Sequence, residues 1–140
     1  MLGHVVHKIL NRIGPFEIFD ISYRNKLKNS SIICDVTDSK KLEKIISNIK
    51  PDIIINCIGV LIQGTVKSYE KAIFINSYLP HWLKNICERI NCKLIHISTD
   101  CVFSGKKGKN SEKTHPDAID MYVKTKALGE FNLKNHLCIR

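Results

Sequence analysis

Leu94-Ile95-His96-Ile97-Ser98-Thr99-Asp100-Cys101-Val102-Phe103-Ser104-Gly105 is an apolar run that opens into a polar turn, and beyond a polar loop comes Tyr122-Val123-Lys124-Thr125-Lys126-Ala127-Leu128-Gly129-Glu130. The first stretch reads as a buried strand, Lys93 to Ser98, and the second as part of a helix from Asp120 to Asn135. A tyrosine and a lysine four apart lie one above the other on a helix face. The spacing therefore sets the Lys126 ammonium near the Tyr122 phenol. A phenol titrates near pH 10, and a neighbouring cation pulls that value down by stabilising the phenolate. Tyr122 is then expected to exchange a proton with a substrate oxygen closer to neutral pH. Thr99, at the strand end, would give the same oxygen a second hydrogen bond as charge develops on it. These are the groups that carbonyl chemistry needs.

Working outward, apolar runs alternate with helical patterns. Helices are expected at Leu2 to Arg12, Ser39 to Ile49 and Tyr69 to Asn91, the last interrupted near Pro80. Strands are expected at Phe16 to Ile21, Ser31 to Cys34, Asp52 to Cys57 and from Leu137 onward. This alternation predicts an α/β fold with a parallel sheet and flanking helices. Pro51-Asp52-Ile53-Ile54-Ile55-Asn56-Cys57-Ile58-Gly59 is a continuous apolar strand ending in a small-residue turn, and the ends of parallel strands face the ligand crevice.

A Tyr-x-x-x-Lys spacing alone occurs in many helices, but its context is more specific. The strand with Ser98-Thr99-Asp100 followed by Val102-Phe103-Ser104-Gly105, and then Tyr122 to Glu130, resembles the extended short-chain dehydrogenase/reductase superfamily. Within it the match is to the dTDP-4-dehydrorhamnose reductase-like group, over nearly the whole chain. The resemblance implies a Rossmann-like domain and reduction of a 4-keto nucleotide sugar in polysaccharide precursor synthesis. In that reading Tyr122 gives a proton, Thr99 polarises the carbonyl oxygen, and Lys126 lowers the tyrosine pKa while holding the nicotinamide ribose. It also implies that Asn56, Cys57, Gly59 and Ser98 line the cofactor, that Asp35 and Val36 flank the adenine, and that Asn76 faces the site. A nucleotide-sugar epimerase or dehydratase would share these residues, and the non-catalytic regulatory subunit of methionine adenosyltransferase is similar too.

Arg24 bears on cofactor choice. No carboxylate follows the Phe16 to Ile21 strand in Ser22-Tyr23-Arg24-Asn25-Lys26, and an arginine there accommodates the extra phosphate of NADP. NADPH is the favoured cofactor and NADH the alternative. Met1-Leu2-Gly3-His4-Val5-Val6 resembles the end of a glycine-rich phosphate turn and the helix after it, Gly3 matching the third glycine only. The expectation is a single incomplete NAD(P)-binding domain over residues 1–140, with a gap in its sheet where the first strand would lie and without the substrate region. Weak cofactor binding and little activity follow from that expectation, and a homodimer is an option for the full-length form.

Composition narrows the remaining classes. The 140 residues are 44% hydrophobic and 25% charged, ordinary for a globular domain. No apolar run approaches the roughly 20 residues of a membrane span, and no secretory leader pattern opens the chain, so a cytoplasmic location is expected. The net charge of +9 raises nucleic-acid binding, but the lysines are scattered and Lys106-Lys107-Gly108-Lys109 has no interleaved aromatic residue. That stretch is better suited to steering an anionic nucleotide sugar. Six cysteines and six histidines show no C-x-x-C and no third ligand beside His4 and His7, so no metal is expected. The cysteines read as small buried hydrophobes, except Cys101, which follows Thr99 and Asp100 at the mouth of the site. His96 reads as a packed core residue. Asp38 and Asp120 read as helix caps, and residues 59–67 and 104–119 as loops bordering the crevice.

Overall fold

The computed structural model describes residues 2–140. The chain divides into two compact units, Met1–Ile49 and Lys50–Arg140.

In the first unit, helix α1 (Leu2–Ile13) precedes two short parallel strands, β1 (Ile21–Ser22) and β2 (Ile32–Ile33), and helix α2 (Ser39–Ile49). Ile21 pairs with Ile32 and Ser22 with Ile33. The strand expected over Phe16 to Ile21 is shorter and begins later, because pairing starts only where Ile32 N–H donates to Asp20 O. Just before β2 the chain is curled: the buried Ser31 hydroxyl accepts from the N–H groups of Leu27 and Lys28 at 3.0 and 2.9 Å. The segment that would have paired with Phe16 to Phe19 is thereby a turn, and both phenylalanines are exposed. Asp38 caps α2 as its position suggests, its carboxylate accepting from Lys41 N–H at 3.0 Å. Leu42 and Ile46 of α2 are buried, as are Cys34 and Val36.

The second unit is built on a parallel three-stranded sheet ordered β3 (Ile53–Asn56), β4 (Lys93–Ile97), β5 (Leu137–Ile139). Ile55 faces Ile95, and Ile95 in turn faces Leu137. Between β3 and β4 the chain forms α3 (Ile62–Lys67), α4 (Tyr69–Ala72), a π-helical stretch (Ile73–Tyr78) and α5 (Leu79–Arg89). Ala72, Ile75, Leu79, Leu83 and Ile86 recur at three- and four-residue intervals and are buried, the stripe a core-facing helix presents. The interruption expected near Pro80 takes the form of the π-helical stretch before it, where Leu79 N–H reaches back five residues to Phe74 O. Proline brings no N–H, and its ring crowds the carbonyl four residues earlier, which here is that of Asn76. A wider turn absorbs the crowding without ending the helix.

In the second unit two further boundaries depart from the sequence reading. Residues 62–67, expected as loop, form α3, with buried Thr65 donating its hydroxyl to Leu61 O at 3.1 Å. Helix α6 (Met121–Leu128) stops seven residues before Asn135. Its end is fixed from outside, since His81 Nε2 bonds Leu128 O at 2.8 Å. Gly129 then lies so tightly against the Asn76 carbonyl that a Cβ built there would overlap it.

Candidate active site

The end of β4 leads into Ser98 and Thr99. Ser98 N–H donates to Ile139 O at 2.6 Å, which continues the β4–β5 pairing, and its hydroxyl donates to Glu130 Oε1 at 2.6 Å. Thr99 is extended, with φ −157°, and its oxygen accepts from Cys101 N–H at 3.2 Å, capping the 3-10 turn Asp100–Val102. Across from it, α6 starts at an Asp120 cap whose carboxylate accepts from Val123 N–H at 3.0 Å. That cap sets Tyr122 in the first helical turn, where its phenol lies beside the Thr99 side chain. The loop between is braced by Asp117, which accepts from Ser104 N–H and hydroxyl at 2.7 and 2.8 Å.

One turn along α6, Lys126 is buried, with 3% of its surface exposed, and its ammonium donates to Ile97 O at 2.7 Å. The structure thus gathers Thr99, Tyr122 and Lys126 around the end of β4. It does not show the expected depression of the phenol pKa. Burial raises Tyr122, the neighbouring Thr99 side chain opposes that rise, and Cys101, Asp120 and Asp100 add to it. Burial likewise lowers the Lys126 pKa, offset in part by Cys138 and Glu130. The reason lies in where the ammonium goes: Lys126 is turned to the backbone carbonyl of the strand.

The turn after β3 forms the other wall. Asn56, 2% exposed, accepts from Ile58 N–H at 3.1 Å and pairs its amide nitrogen with His96 Nδ1 at 3.1 Å. With Nδ1 accepting from the amide, the neutral ring carries its proton on Nε2, which is buried and unpartnered. Burial, with Lys126 and His81 adding, lowers the His96 pKa to about 3. Asn76, fully buried, holds Val60 by both backbone groups, at 2.8 and 2.9 Å, and reaches Thr125 Oγ1 at 3.1 Å. This amide latches the 56–60 turn to α6. Gly59 lies inside that latch, and a Cβ there would sit 3.6 Å from Asn76 Oδ1 and 3.9 Å from Lys126 Nζ. Cys57 is half-buried and its thiol is raised by burial.

Gly3, Arg24, Asp35 and Val36 belong to the first unit. Gly3 is in the first turn of α1. Arg24 is exposed and lies over the Tyr23 ring, 4.8 Å from its centroid. Asp35 accepts from Thr37 N–H and hydroxyl, and Val36 is buried.

Two residues had no role in the sequence reading. Glu130 receives the Ser98 hydroxyl and is held by Arg140, with Nε and Nη2 at 3.0 and 2.7 Å from Oε2. Arg140 also reaches Thr114 O at 3.2 Å, tying the loop before α6 to the strand end. The signal for Glu130 was its place in the Tyr122 to Glu130 motif, whereas nothing local marks Arg140 as its partner. Beside Tyr122 is a cavity of about 220 Å³ walled by Ile62, Thr65, Val66 and Tyr69. Among the described residues no group of His, Cys, Asp or Glu side chains is placed to hold a metal ion.

Comparison with known proteins finds relatives of the same fold. A dTDP-4-dehydrorhamnose reductase of Mycobacterium tuberculosis is 31% identical over 115 residues, spanning 76% of this chain and 36% of that protein. Methionine adenosyltransferase 2 subunit beta of Danio rerio is 26% identical over 137 residues, spanning 97% of the chain and 41% of that protein. The crystal structure of a hypothetical dTDP-4-dehydrorhamnose reductase from Sulfolobus tokodaii superposes with a TM-score of 0.87 at 29% identity, over 98% of this chain and 50% of that one. A dTDP-4-dehydrorhamnose reductase of Bacillus anthracis in complex with NADP shares the fold at 22% identity and a TM-score of 0.64, over 79% of this chain and 46% of that one. The chain spans about a third to a half of the length of these relatives. The family model described as RmlD substrate binding domain matches residues 17–140, and with a Rossmann-like parallel sheet carrying the Thr99, Tyr122 and Lys126 cluster, this chain belongs to that family.

Proposed function

We propose that the protein is part of an NADPH-dependent reductase acting on a 4-keto nucleotide sugar. The observation that carries this reading is the placement of the Tyr122 phenol beside Thr99 at the end of β4, on the helix that also carries the buried Lys126 ammonium. Two hydroxyl donors converge where a carbonyl oxygen would accept charge, in a crevice at the ends of parallel strands. The named relatives include reductases of that substrate class.

A nicotinamide cofactor fits the residues present. Gly59 keeps open a space that a side chain would fill, bordered by Lys126. Asn56, Cys57, Gly59 and Ser98 are assigned to that wall, and Lys126 to the ribose hydroxyls, since only one of its three protons is engaged by Ile97. Gly3, Asp35 and Val36 are assigned to the dinucleotide, and Arg24 to the phosphate that distinguishes NADPH. When bound, the cofactor supplies hydride to the carbonyl carbon. The residues do the rest. Thr99 and Tyr122 bind and orient the oxygen, and Tyr122 releases its proton to it as it becomes an alkoxide, which is far more basic than a phenolate. The raised pKa suits this direction, because it keeps the phenol protonated until the stronger base forms. We assign residues 1–140 to the cofactor-binding part, and substrate recognition to regions of the relatives that this chain does not span.

A second reading is favoured by the alignment over 97% of the chain to methionine adenosyltransferase 2 subunit beta: a regulatory role on the same scaffold without turnover. Extending the chain with the remaining half of the Sulfolobus tokodaii relative and following NADPH absorbance with a 4-keto nucleotide sugar separates the two. Substrate-dependent oxidation of NADPH is expected. Cofactor binding without oxidation would favour the regulatory reading and overturn the reductase.

A further inference from the structure

At the opposite end of β4 from Ser98 and Thr99, two buried thiols meet. Helix α5 closes with Asn91 in the left-handed region, φ 56°, and with Cys92 N–H donating back to Cys87 O at 2.8 Å. This six-to-one bond marks a Schellman ending, which brings the side chains at its two ends together. Here those side chains are Cys87 and Cys92. Each thiol lies near enough to perturb the other, and the Cys92 thiol donates to Lys93 O at 3.4 Å. Both residues line a cavity of about 520 Å³ along with Glu88, Lys93, Asn135 and His136, wide enough to admit a small oxidant to thiols that are otherwise 0% and 5% exposed.

We propose that Cys87 and Cys92 are an oxidisable dithiol, at which a hydroperoxide entering this cavity is reduced and an intrachain disulfide forms. The Cys92 thiolate attacks the peroxide, the O–O bond breaks, hydroxide leaves and a sulfenic acid remains. Cys87 then attacks that sulfur, the S–S bond forms, and the oxygen leaves as water with the thiol proton. For hydrogen peroxide the sum is two thiols and one peroxide giving one disulfide and two waters. Cys92 is the first to react because it is the more exposed of the two, at 5% against 0%. Burial pushes both thiols up, Cys87 to about 12, so the reaction is slow at neutral pH and accelerates as pH rises. The disulfide would staple the end of α5 to the start of β4.

Peptide mapping tests this directly. The folded full chain is treated with hydrogen peroxide, free thiols are alkylated, and the protein is cut with trypsin. Cleavage after Lys84, Arg89 and Lys93 separates Asn85–Arg89 from Ile90–Lys93. The expected product is these two peptides joined, lighter by two hydrogens than their sum, released by reductant, forming faster at higher pH and absent in Cys92→Ser. Recovery of both peptides separately alkylated while exposed Cys101 is oxidised would overturn the proposal. So would linkage of either cysteine to a different partner, or joining only in denaturant.

Discussion

His96 shows how one residue's surroundings outweigh its intrinsic chemistry. Its ring is fully buried, bonded to Asn56 through Nδ1, and holds the neutral form down to a pKa of about 3. In the unfolded chain it titrates near 6.5. Between those values the unfolded state binds more protons than the folded one, so stability is fully present above about pH 6.5 and is lost as pH falls toward 3. From pH 7 to pH 5 this group alone should lower stability by about 2 kcal/mol. Urea denaturation of wild type and His96→Gln at both pH values checks it, since the variant should lose that much less on acidification; equal losses would show that His96 is not held neutral. The sequence marked His96 as a packed core residue from its place in an apolar strand, and the structure agrees. It marked the Tyr122 and Lys126 pair by helical spacing but misjudged their electrostatics. Spacing fixes where two Cβ atoms lie, while the end of a four-carbon side chain goes to its best acceptor, here Ile97 O.

At the level of elements, the end of α6 is set by a neighbour. Gly129 touches the carbonyl of Asn76, the residue whose side chain secures the 56–60 turn. Gly129→Ala forces that contact apart, and crowding of this kind typically costs about 1–3 kcal/mol. A lower denaturation midpoint with an unchanged denaturant slope is expected; an unaltered midpoint would mean the two segments separate freely. The cores of α2, β3 and β4 were legible because their apolar runs are local signals. The end of α6 was not, since His81 and Asn76 meet it only in three dimensions, and the shortening of the first strand depends likewise on the Ser31 turn. Helix α3 was hidden by Gly64, a poor helix former; a Cβ there would lie 2.8 Å from Val60 Cγ1.

For the whole molecule, the net charge of +9 acts as a diffuse field. A protein bound through many phosphates loses affinity steeply with salt, by about 10³–10⁵ between 50 and 200 mM for six to ten contacts. With its lysines scattered, this chain should bind duplex DNA weakly at 50 mM salt and not measurably at 200 mM, as fluorescence anisotropy would show. Tight binding that persists at the higher salt would make nucleic acid a genuine partner. No helix among the described residues is long and apolar enough to cross a membrane. The functional account rests on Tyr122 as the proton donor beside Thr99. Its most direct test is the steady-state rate of NADPH oxidation by the extended enzyme with a 4-keto nucleotide sugar, compared between wild type and Tyr122→Phe. A fall in kcat of roughly 10²–10⁴-fold with NADPH affinity unchanged is expected, and a variant that turns over like wild type would remove Tyr122 as the proton donor.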